Sequence, residues 1–394
     1  MEESRAMSPS PATRAEIVVD LAAIRHNVRT LRRAVSTDVP VQMMTVVKAD
    51  GYGHGMTEAA AAARAAGAEW LGVATVDEAM ALRDAGDTGR VLCWLTVPGE
   101  DYAAPVAADV DVTAYTVAQL DEIAAAVAVT GVPARVQLKV DTGLSRGGAA
   151  LATWPAVVAR ARVGEEAGTW RVTGIWSHLA CSDEPDHPAN DSQERVFRDA
   201  LAAAEDAGLA PEVRHLANSA GAILRPSARF DLVRCGLASY GLDPAPGHTP
   251  DLGLRPAMTA RAVLALVKQV STGAGVSYGH TWLADHDTTL GLVPVGYGDG
   301  VPRHAGNTAE TWVAGKRRPV RGRICMDQFV VDLGGELPPA GEDVVLFGTG
   351  RSGEPTAQDW AEACGTISYE IVTRIGGRMT RRHVDTAADG EELG

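Results

Sequence analysis

The chain has 394 residues, of which 46% are hydrophobic, so it is long enough for two domains with a sizeable core. Its formal net charge of −14 argues against nucleic acid or an anionic membrane as a partner. The five cysteines form no CxxC pair and their number is odd, which predicts free thiols in a reducing cytoplasm. We predict no metal site, a disordered lead at 1–14 and a flexible acidic tail at 385–394.

After a strand-like run at 15–19 and a helix at 20–36, eight apolar runs recur along the chain. They cover 41–47, 69–75, 91–95, 109–114, 135–141, 172–179, 212–217 and 230–235, with Ala-rich helical stretches in most intervals. Buried strands that alternate with helices are typical of an α/β arrangement, and eight of them favour an N-terminal (β/α)8 TIM-like barrel over 15–253. An open doubly wound sheet is the alternative, although no GxGxxG follows the first strand.

Near residue 254 the pattern changes to short strand-like runs separated by turns that contain glycine and proline. Examples are the runs at 262–267, 289–293 and 328–333, and helical stretches return only at 357–375. We therefore predict a C-terminal, mainly β domain over 254–384. The early run at 15–19 is a candidate strand of this second domain.

Lys48 stands at the end of the first apolar run and is followed closely by Gly51, Gly53 and Gly55. Burial at a strand end disfavours the charged form of a lysine, and a neutral amine beside flexible backbone suits imine chemistry with a carbonyl cofactor. The alternative is a lysine that simply extends into solvent. The residues around Lys48 do not separate these interpretations, so the other strand ends have to decide.

Polar residues also follow other predicted strands, at the ends where a (β/α)8 barrel builds its site. From the fifth strand onward they are Lys139 and Arg146, His178 and Asp183, His215 and Ser219, and finally Arg234 with Gly236 and Leu237. Together with Lys48 they cover five strand ends. One or two such residues could arise by chance, whereas five strand ends indicate a functional site.

The chain resembles the alanine racemases, fold-type III pyridoxal 5′-phosphate (PLP) enzymes, over nearly its whole length. The motifs that carry the resemblance are Lys48-Ala49-Asp50-Gly51-Tyr52-Gly53-His54-Gly55, Val276-Ser277-Tyr278-Gly279, Cys325-Met326-Asp327-Gln328 and Thr366-Ile367-Ser368-Tyr369-Glu370. The first is similar to the family's cofactor-lysine motif, and the second is similar to the segment with its catalytic tyrosine. The resemblance implies a PLP-dependent racemase that interconverts L- and D-alanine and supplies D-alanine for cell-wall peptidoglycan.

By this resemblance, Lys48 binds PLP and is one of two catalytic acid/base groups, and Tyr278 from the partner subunit of a homodimer is the other. Two groups on opposite faces suit racemisation, because one removes the Cα proton and the other returns a proton from behind. Arg234 is expected to face the pyridine nitrogen and His178 to stack on the ring. The expected phosphate contacts are Tyr52, Ser219, Gly236, Leu237 and Tyr369.

The resemblance also implies residues for the amino-acid substrate and its surroundings. Arg146, Met326 and Asp327 are expected to contact the substrate. Lys139, carbamylated in many relatives, is expected to pair with Arg146, and His215 is expected to hydrogen-bond the arginine that faces the ring. Asp183, Tyr297 and Arg303 are expected along the substrate's access route. The alternatives are a core histidine for His215 and solvated loop residues for Asp183 and Arg303.

Three other functions fit parts of the same pattern. A racemase for serine or a larger amino acid shares the scaffold, but the bulk of Tyr297 and Tyr369 favours a small side chain. A PLP-dependent decarboxylase shares the two-domain plan and lacks the context of Tyr278. A non-catalytic PLP-binding module would be a lone barrel, which the domain from 254 onward argues against.

Overall fold

The computed structural model describes residues 13–36 and 40–386. Apart from residues 13–14 and 385–386, the predicted disordered lead and flexible tail therefore lie outside the described residues. The described residues divide into two compact units, one of Leu21–Arg255 and one that joins residues 13–20 with Pro256–Asp385. Within the described residues, no helix is both long and apolar enough to cross a membrane.

The first unit, the barrel unit, contains eight parallel strands, which confirms the predicted fold class. Strand β1 (Ala15–Asp20) belongs to the other unit, and the barrel strands are β2 (Gln42–Val46), β3 (Trp70–Val73), β4 (Arg90–Cys93), β5 (Asp111–Ala114), β6 (Ala134–Lys139), β7 (Trp170–Trp176), β8 (Val213–His215) and β9 (Leu232–Cys235). Neighbours pair in chain order from β2 to β8, and β9 pairs with β2. The amides of Asp231 and Arg234 donate at 3.0 Å to the carbonyls of Arg214 and Ala217, which closes the barrel between β9 and β8.

A helix precedes the first barrel strand, and helices follow each barrel strand from β2 to β8, as the Ala-rich intervals predict. They are α1 (Leu21–Val35), α2 (Lys48–Tyr52), α3 (Met56–Ala65), α4 (Val76–Asp84), α5 (Ala103–Ala107), α6 (Val117–Thr130), α7 (Trp154–Glu166), α8 (Ala189–Asp206) and α9 (Ser219–Leu224). Helix α1 buries Ile24, Val28 and Leu31, which share one helical face. Helices α4 and α6 begin at threonine N-caps, whose hydroxyls accept a backbone N–H of the first turn.

The second unit, the β unit, is built on a nine-stranded sheet in the order β11-β14-β17-β16-β15-β18-β10-β1-β19. Its further elements are β10 (Met258–Val263), β11 (Leu266–Val270), β12 (Gly275–Val276), β13 (Trp282–Leu283), β14 (Thr288–Val293), β15 (Glu310–Val313), β16 (Lys316–Arg321), β17 (Phe329–Gly334), β18 (Asp343–Phe347), α10 (Ala357–Cys364), α11 (Ser368–Arg374) and β19 (Thr380–Val384). Strand β1 pairs antiparallel with β10 and parallel with β19. The run at 15–19 is therefore a strand of this unit.

The apolar run at 262–267 is not one strand, contrary to the sequence interpretation. Strand β10 ends at Val263 and β11 begins at Leu266, and the two occupy different places in the sheet order. At the break, the N–H of Leu264 donates to the carbonyl of Glu342, and the N–H of Ala265 donates to the carbonyl of Leu292. Hydrophobicity continues through this change of partner, so the pattern alone could not reveal it.

Candidate active site

Lys48 lies just beyond the carboxyl end of β2 and is the first residue of α2. The backbone after it is left-handed, with φ of 52° at Ala49, 54° at Asp50, 63° at Gly51 and 54° at Tyr52. Three of these four residues carry a Cβ, and L-residues avoid this conformation because their Cβ crowds the following carbonyl. The left-handed turn therefore needs contacts that hold it, directly next to the lysine.

The surroundings of Lys48 shift its pKa downward. Burial lowers the pKa of the amine below its usual value, and the positive charge of Arg146 lowers it further, whereas the Glu78 carboxylate acts in the opposite direction. The amine lies 5.7 Å from the centroid of the Trp94 ring. A lowered pKa increases the fraction of nucleophilic amine, as imine formation requires.

Arg234, on β9, is buried and donates several hydrogen bonds through its two terminal nitrogens. It is 4% exposed, and its guanidinium donates to the carbonyls of Ser177 at 2.8 Å and Leu216 at 3.0 Å and to Nδ1 of His215 at 2.8 Å. Burial lowers the pKa of Arg234 to about 9, so the side chain is still charged at neutral pH. A second ring nitrogen, Nδ1 of His178, lies 3.2 Å from the same group.

The two histidines beside Arg234 are neutral acceptors. Burial and the charge of Arg234 hold the pKa values of His178 and His215 well below the usual range. Because a guanidinium can only donate, Nδ1 of His215 accepts its bond and Nε2 carries the proton. Nε2 then donates to Oε1 of Gln137 at 2.7 Å, and the imidazole stacks on Trp176 with ring centroids 5.5 Å apart.

Tyr52, Ser219 and Gly236 form a small polar cradle at the ends of β8 and β9. The Ser219 hydroxyl accepts the N–H of Gly236 at 2.9 Å. A Cβ at Gly236 would fall 2.4 Å from the Tyr52 hydroxyl, so only glycine allows this approach. Leu237 follows directly and begins a 3-10 helix. Hydroxyls and backbone amides at this end of a (β/α)8 barrel suit a phosphate group.

Lys139 and Arg146 complete a cluster of cations. Lys139 is 7% exposed at the end of β6, and its amine lies 4.4 Å from the centroid of the Trp176 ring. Burial lowers its pKa to about 8, and the charges of Arg234 and Arg146 contribute. Arg146 is exposed in the following loop, where Asp141 accepts two backbone N–H groups and fixes an Asx turn.

The β unit carries the predicted catalytic tyrosine on its surface. Tyr278 is 72% exposed, and the preceding Ser277, with φ of 60°, lies 3.3 Å from the sulfur of Cys325. Tyr297 and Met326 are also exposed, at 43% and 55%, and the N–H of Tyr297 donates to the Cys325 carbonyl. Three of the predicted residues therefore lie on adjoining segments of one surface.

The remaining predicted residues occupy separate positions. In the β unit, Asp327 accepts a hydrogen bond of 2.6 Å from Arg378, Arg303 is exposed in a 3-10 turn, and Tyr369 is half-buried on α11. In the barrel unit, Asp183 is exposed in the loop after β7. The barrel unit itself brings together Lys48, Tyr52, Lys139, His178, His215, Ser219, Arg234 and Gly236 around the carboxyl ends of its strands.

Sequence reasoning missed several residues that shape this cluster. Trp94 and Trp176 provide aromatic walls for the two lysines, Gln137 orients His215, and Glu78 binds the N–H of Ala49 at 2.7 Å. Gln137 points inward from a strand interior and leaves no motif. Glu78 does leave one, since a threonine three residues before a glutamate is typical of a capping box.

A buried arginine, a lysine with a lowered pKa and a hydroxyl-lined cradle at one end of a (β/α)8 barrel define an enzyme that binds a phosphorylated carbonyl cofactor. The family model for the alanine racemase N-terminal domain matches residues 19–244, and the one for the C-terminal domain matches residues 257–383. The chain belongs to the alanine racemase family. Members of this family are PLP-dependent isomerases.

Individual alanine racemases are similar to this chain along nearly their full length. The alanine racemase of Streptomyces coelicolor is 53% identical over 393 residues, which cover 98% of this chain and 100% of the relative. A solved structure of that enzyme has a TM-score of 0.92 and covers 95% of this chain and 98% of its own. The crystal structure of the alanine racemase from Streptomyces lavendulae has a TM-score of 0.93 at 50% identity and covers 97% of this chain and all of its own.

Proposed function

We propose that this chain interconverts L- and D-alanine with PLP as its cofactor and supplies D-alanine for peptidoglycan. The observation that carries the proposal is Lys48, a lysine of lowered pKa beyond the first barrel strand, in a chain 53% identical to a known alanine racemase. Its amine is expected to hold the cofactor covalently. Bound PLP withdraws electrons from the substrate and thereby acidifies the Cα proton.

The residues at the barrel's strand ends fit the phosphate and the ring of this cofactor. Ser219, Gly236 and the Tyr52 hydroxyl surround a space that a Cβ at position 236 would fill, and Leu237 and Tyr369 are proposed further phosphate contacts. Arg234, a charged donor, is proposed to face the pyridine nitrogen and keep it unprotonated. His215 positions Arg234, and His178 is proposed to pack on the ring.

Two groups are proposed to move the proton at Cα. The Lys48 amine accepts or donates it on one face, and the Tyr278 hydroxyl of the partner subunit does so on the other. The lowered pKa of Lys48 suits this task, because it increases the fraction of unprotonated amine that can accept a proton. The 72% exposure of Tyr278 leaves its hydroxyl free to reach another chain.

Further residues are proposed to contact the substrate or to line its access route. Arg146 is a cation at the mouth of the barrel and suits the substrate carboxylate, with Lys139 as its neighbour. Met326 and Asp327 are proposed substrate contacts from the partner subunit. Tyr297, Arg303 and Asp183 are all exposed and are proposed to line the route by which alanine enters.

A homodimer with shared active sites follows from this proposal. Tyr278, Tyr297 and Met326 are large side chains with apolar surface that are all exposed in the single chain, which supports a partner there. A cytoplasmic location is also proposed. All five cysteines are free, as expected for a reducing compartment.

The substrate preference is tested by incubating the protein with PLP and, in turn, L-alanine, L-serine and larger L-amino acids. Chiral chromatography is expected to detect D-alanine as the fastest-formed product, because the bulk of Tyr297 and Tyr369 suits a small side chain. Faster formation of D-serine or a larger D-amino acid would assign the chain another substrate on the same scaffold.

A further inference from the structure

We propose that Glu78 is a positioning residue for Lys48, because its carboxylate holds the strained turn that directly follows the lysine. This inference rests on the proposed role of Lys48 in cofactor binding. Glu78 belongs to the first turn of α4, one strand along the barrel from β2. Glu78 lies outside the cofactor-lysine motif and is not among the site residues predicted from the sequence.

Glu78 makes two sets of hydrogen bonds, one for each carboxylate oxygen. Oε2 accepts the N–H groups of Ala74 at 2.8 Å and Thr75 at 3.2 Å, and the Thr75 hydroxyl accepts the Glu78 N–H in return, which completes a capping box for α4. Oε1 is directed away from this cap and accepts the N–H of Ala49 at 2.7 Å. The same carboxylate therefore joins the start of α4 to the residue after Lys48.

A second helix of the barrel indicates which of these bonds is needed for capping alone. Helix α6 begins at Thr116, and Gln119 holds the position equivalent to Glu78. Its amide oxygen accepts the N–H of Tyr115 at 3.0 Å, and its NH2 group donates to Thr96 at 3.3 Å. One acceptor atom is enough for this cap, so the second oxygen of Glu78 serves the bond to Ala49.

The bond to Ala49 matters because the turn it holds is strained. Ala49 and Asp50 adopt left-handed φ values, which L-residues avoid because their Cβ crowds the following carbonyl oxygen. The Ala49 N–H is the first donor of this turn, in the position that an N-cap serves in an ordinary helix. A charged acceptor there offsets part of the strain and fixes where the Lys48 side chain leaves the backbone.

The charge of Glu78 acts on Lys48 as well. The carboxylate is the group that opposes the effects of burial and Arg146 on the lysine amine. A glutamine at position 78 would remove this charge and would face one of the N–H donors with its own NH2 group. The variant Glu78→Gln therefore tests both the hydrogen bond to Ala49 and the effect of the negative charge on Lys48.

The test compares Glu78→Gln with two controls in the PLP-loaded protein. Thr75→Ala removes the hydroxyl of the same cap and leaves the carboxylate in place, and Gln119→Glu alters the related cap of α6. For Glu78→Gln we expect PLP to bind about tenfold more weakly and the pH midpoint of its visible absorbance to fall. Both quantities should stay close to wild type in the two controls, although Thr75→Ala should lower the thermal midpoint.

Glu78→Asp provides a second variant that keeps the charge and shortens its reach. It should weaken PLP binding but shift the pH midpoint less than Glu78→Gln does, because the negative charge is still present. If Glu78→Gln lowered only the thermal midpoint, as Thr75→Ala does, Glu78 would be a helix cap and nothing more. A wild-type protein that failed to bind PLP would instead contradict the proposed function itself.

Discussion

At the scale of single residues, the barrel unit concentrates positive charge. Lys48, Lys139, Arg146 and Arg234 influence one another, and each of the two lysines has a lowered pKa. Lys139 is buried with a pKa of about 8, so a substantial part of it is neutral under mildly basic conditions. Conversion of this amine to a carbamate would place an anion among the remaining cations.

We predict that Lys139 reacts with carbon dioxide, and that the carbamate becomes more abundant as the pH rises through about 8. The sign follows from the chemistry, because only the neutral amine attacks carbon dioxide, and protonation below this pKa removes it. Carbon-13 NMR with labelled bicarbonate measures the carbamate signal, and Lys139→Met is the control. A signal that survived in Lys139→Met, or grew as the pH fell, would refute the assignment.

At the scale of elements, the junction between β9 and the following 3-10 helix depends on the close approach of Gly236 to the Tyr52 hydroxyl. Gly236 lies against the Tyr52 hydroxyl, and its N–H donates to the Ser219 hydroxyl. A methyl group added at position 236 would therefore clash with the Tyr52 hydroxyl. Gly236→Ala should weaken PLP binding by about tenfold or more, because the phosphate contacts would shift. Equilibrium dialysis against PLP measures the effect.

Two further variants separate this effect from a general loss of stability. Gly335→Ala is the matched control, since a Cβ there meets nothing within 4 Å and PLP affinity should not change. Tyr52→Phe removes the closest atom to the added methyl, so Gly236→Ala combined with Tyr52→Phe should lose less affinity than the two single changes added together. Strict additivity of the two losses would show that the methyl group acts elsewhere.

The elements that the sequence predicts well are those whose pattern is local. Eight apolar runs were sufficient for the barrel, and the polar residues at five predicted strand ends, Lys48 among them, were the basis for predicting a site there. The split of 262–267 into β10 and β11 was not predictable, because a change of sheet partner leaves no trace in hydrophobicity. The left-handed turn at 49–52 was also missed, since alanine at position 49 carries no signal for positive φ.

The residues of the proposed site are also easier to predict where their sequence pattern is local. Some residues proposed to contact the cofactor, such as Lys48 and Tyr52, stand in a recognisable motif, and others, such as Arg234, stand at predicted strand ends. The residues that orient them come from neighbouring strands and helices. Gln137 reaches His215 across the barrel, and Glu78 reaches Ala49 from the next strand–helix connection. These contacts depend on parallel strands being brought side by side, so they become visible only once the fold is known.

At the scale of the whole molecule, the proposal requires two chains. The proposed catalytic pair is Lys48 of one protomer and Tyr278 of its partner, so neither protomer alone would hold a complete site. Because such a dimer is symmetric, each chain gives a lysine to one site and a tyrosine to the other. Two inactive variants should then complement each other.

Mixing Lys48→Ala with Tyr278→Phe after dissociation and reassociation is expected to recover about a quarter of wild-type activity. Half of the dimers would be hybrids, and each hybrid would hold one intact site and one doubly altered site. The racemisation rate of the mixture, compared with that of each variant alone, measures the recovery. Sites contained within single protomers would give no recovery, and that result would contradict the shared-site arrangement.

The central claim is that Lys48 and Tyr278 exchange the Cα proton on opposite faces of the substrate. The most direct measurement is deuterium incorporation at Cα in D2O, started separately from L-alanine and from D-alanine, for wild type, Lys48→Ala and Tyr278→Phe. We predict that Tyr278→Phe retains bound PLP and exchange from D-alanine but loses mainly the exchange from L-alanine, while Lys48→Ala loses the covalently held cofactor. An equal loss of exchange from both enantiomers in Tyr278→Phe would contradict the two-base account.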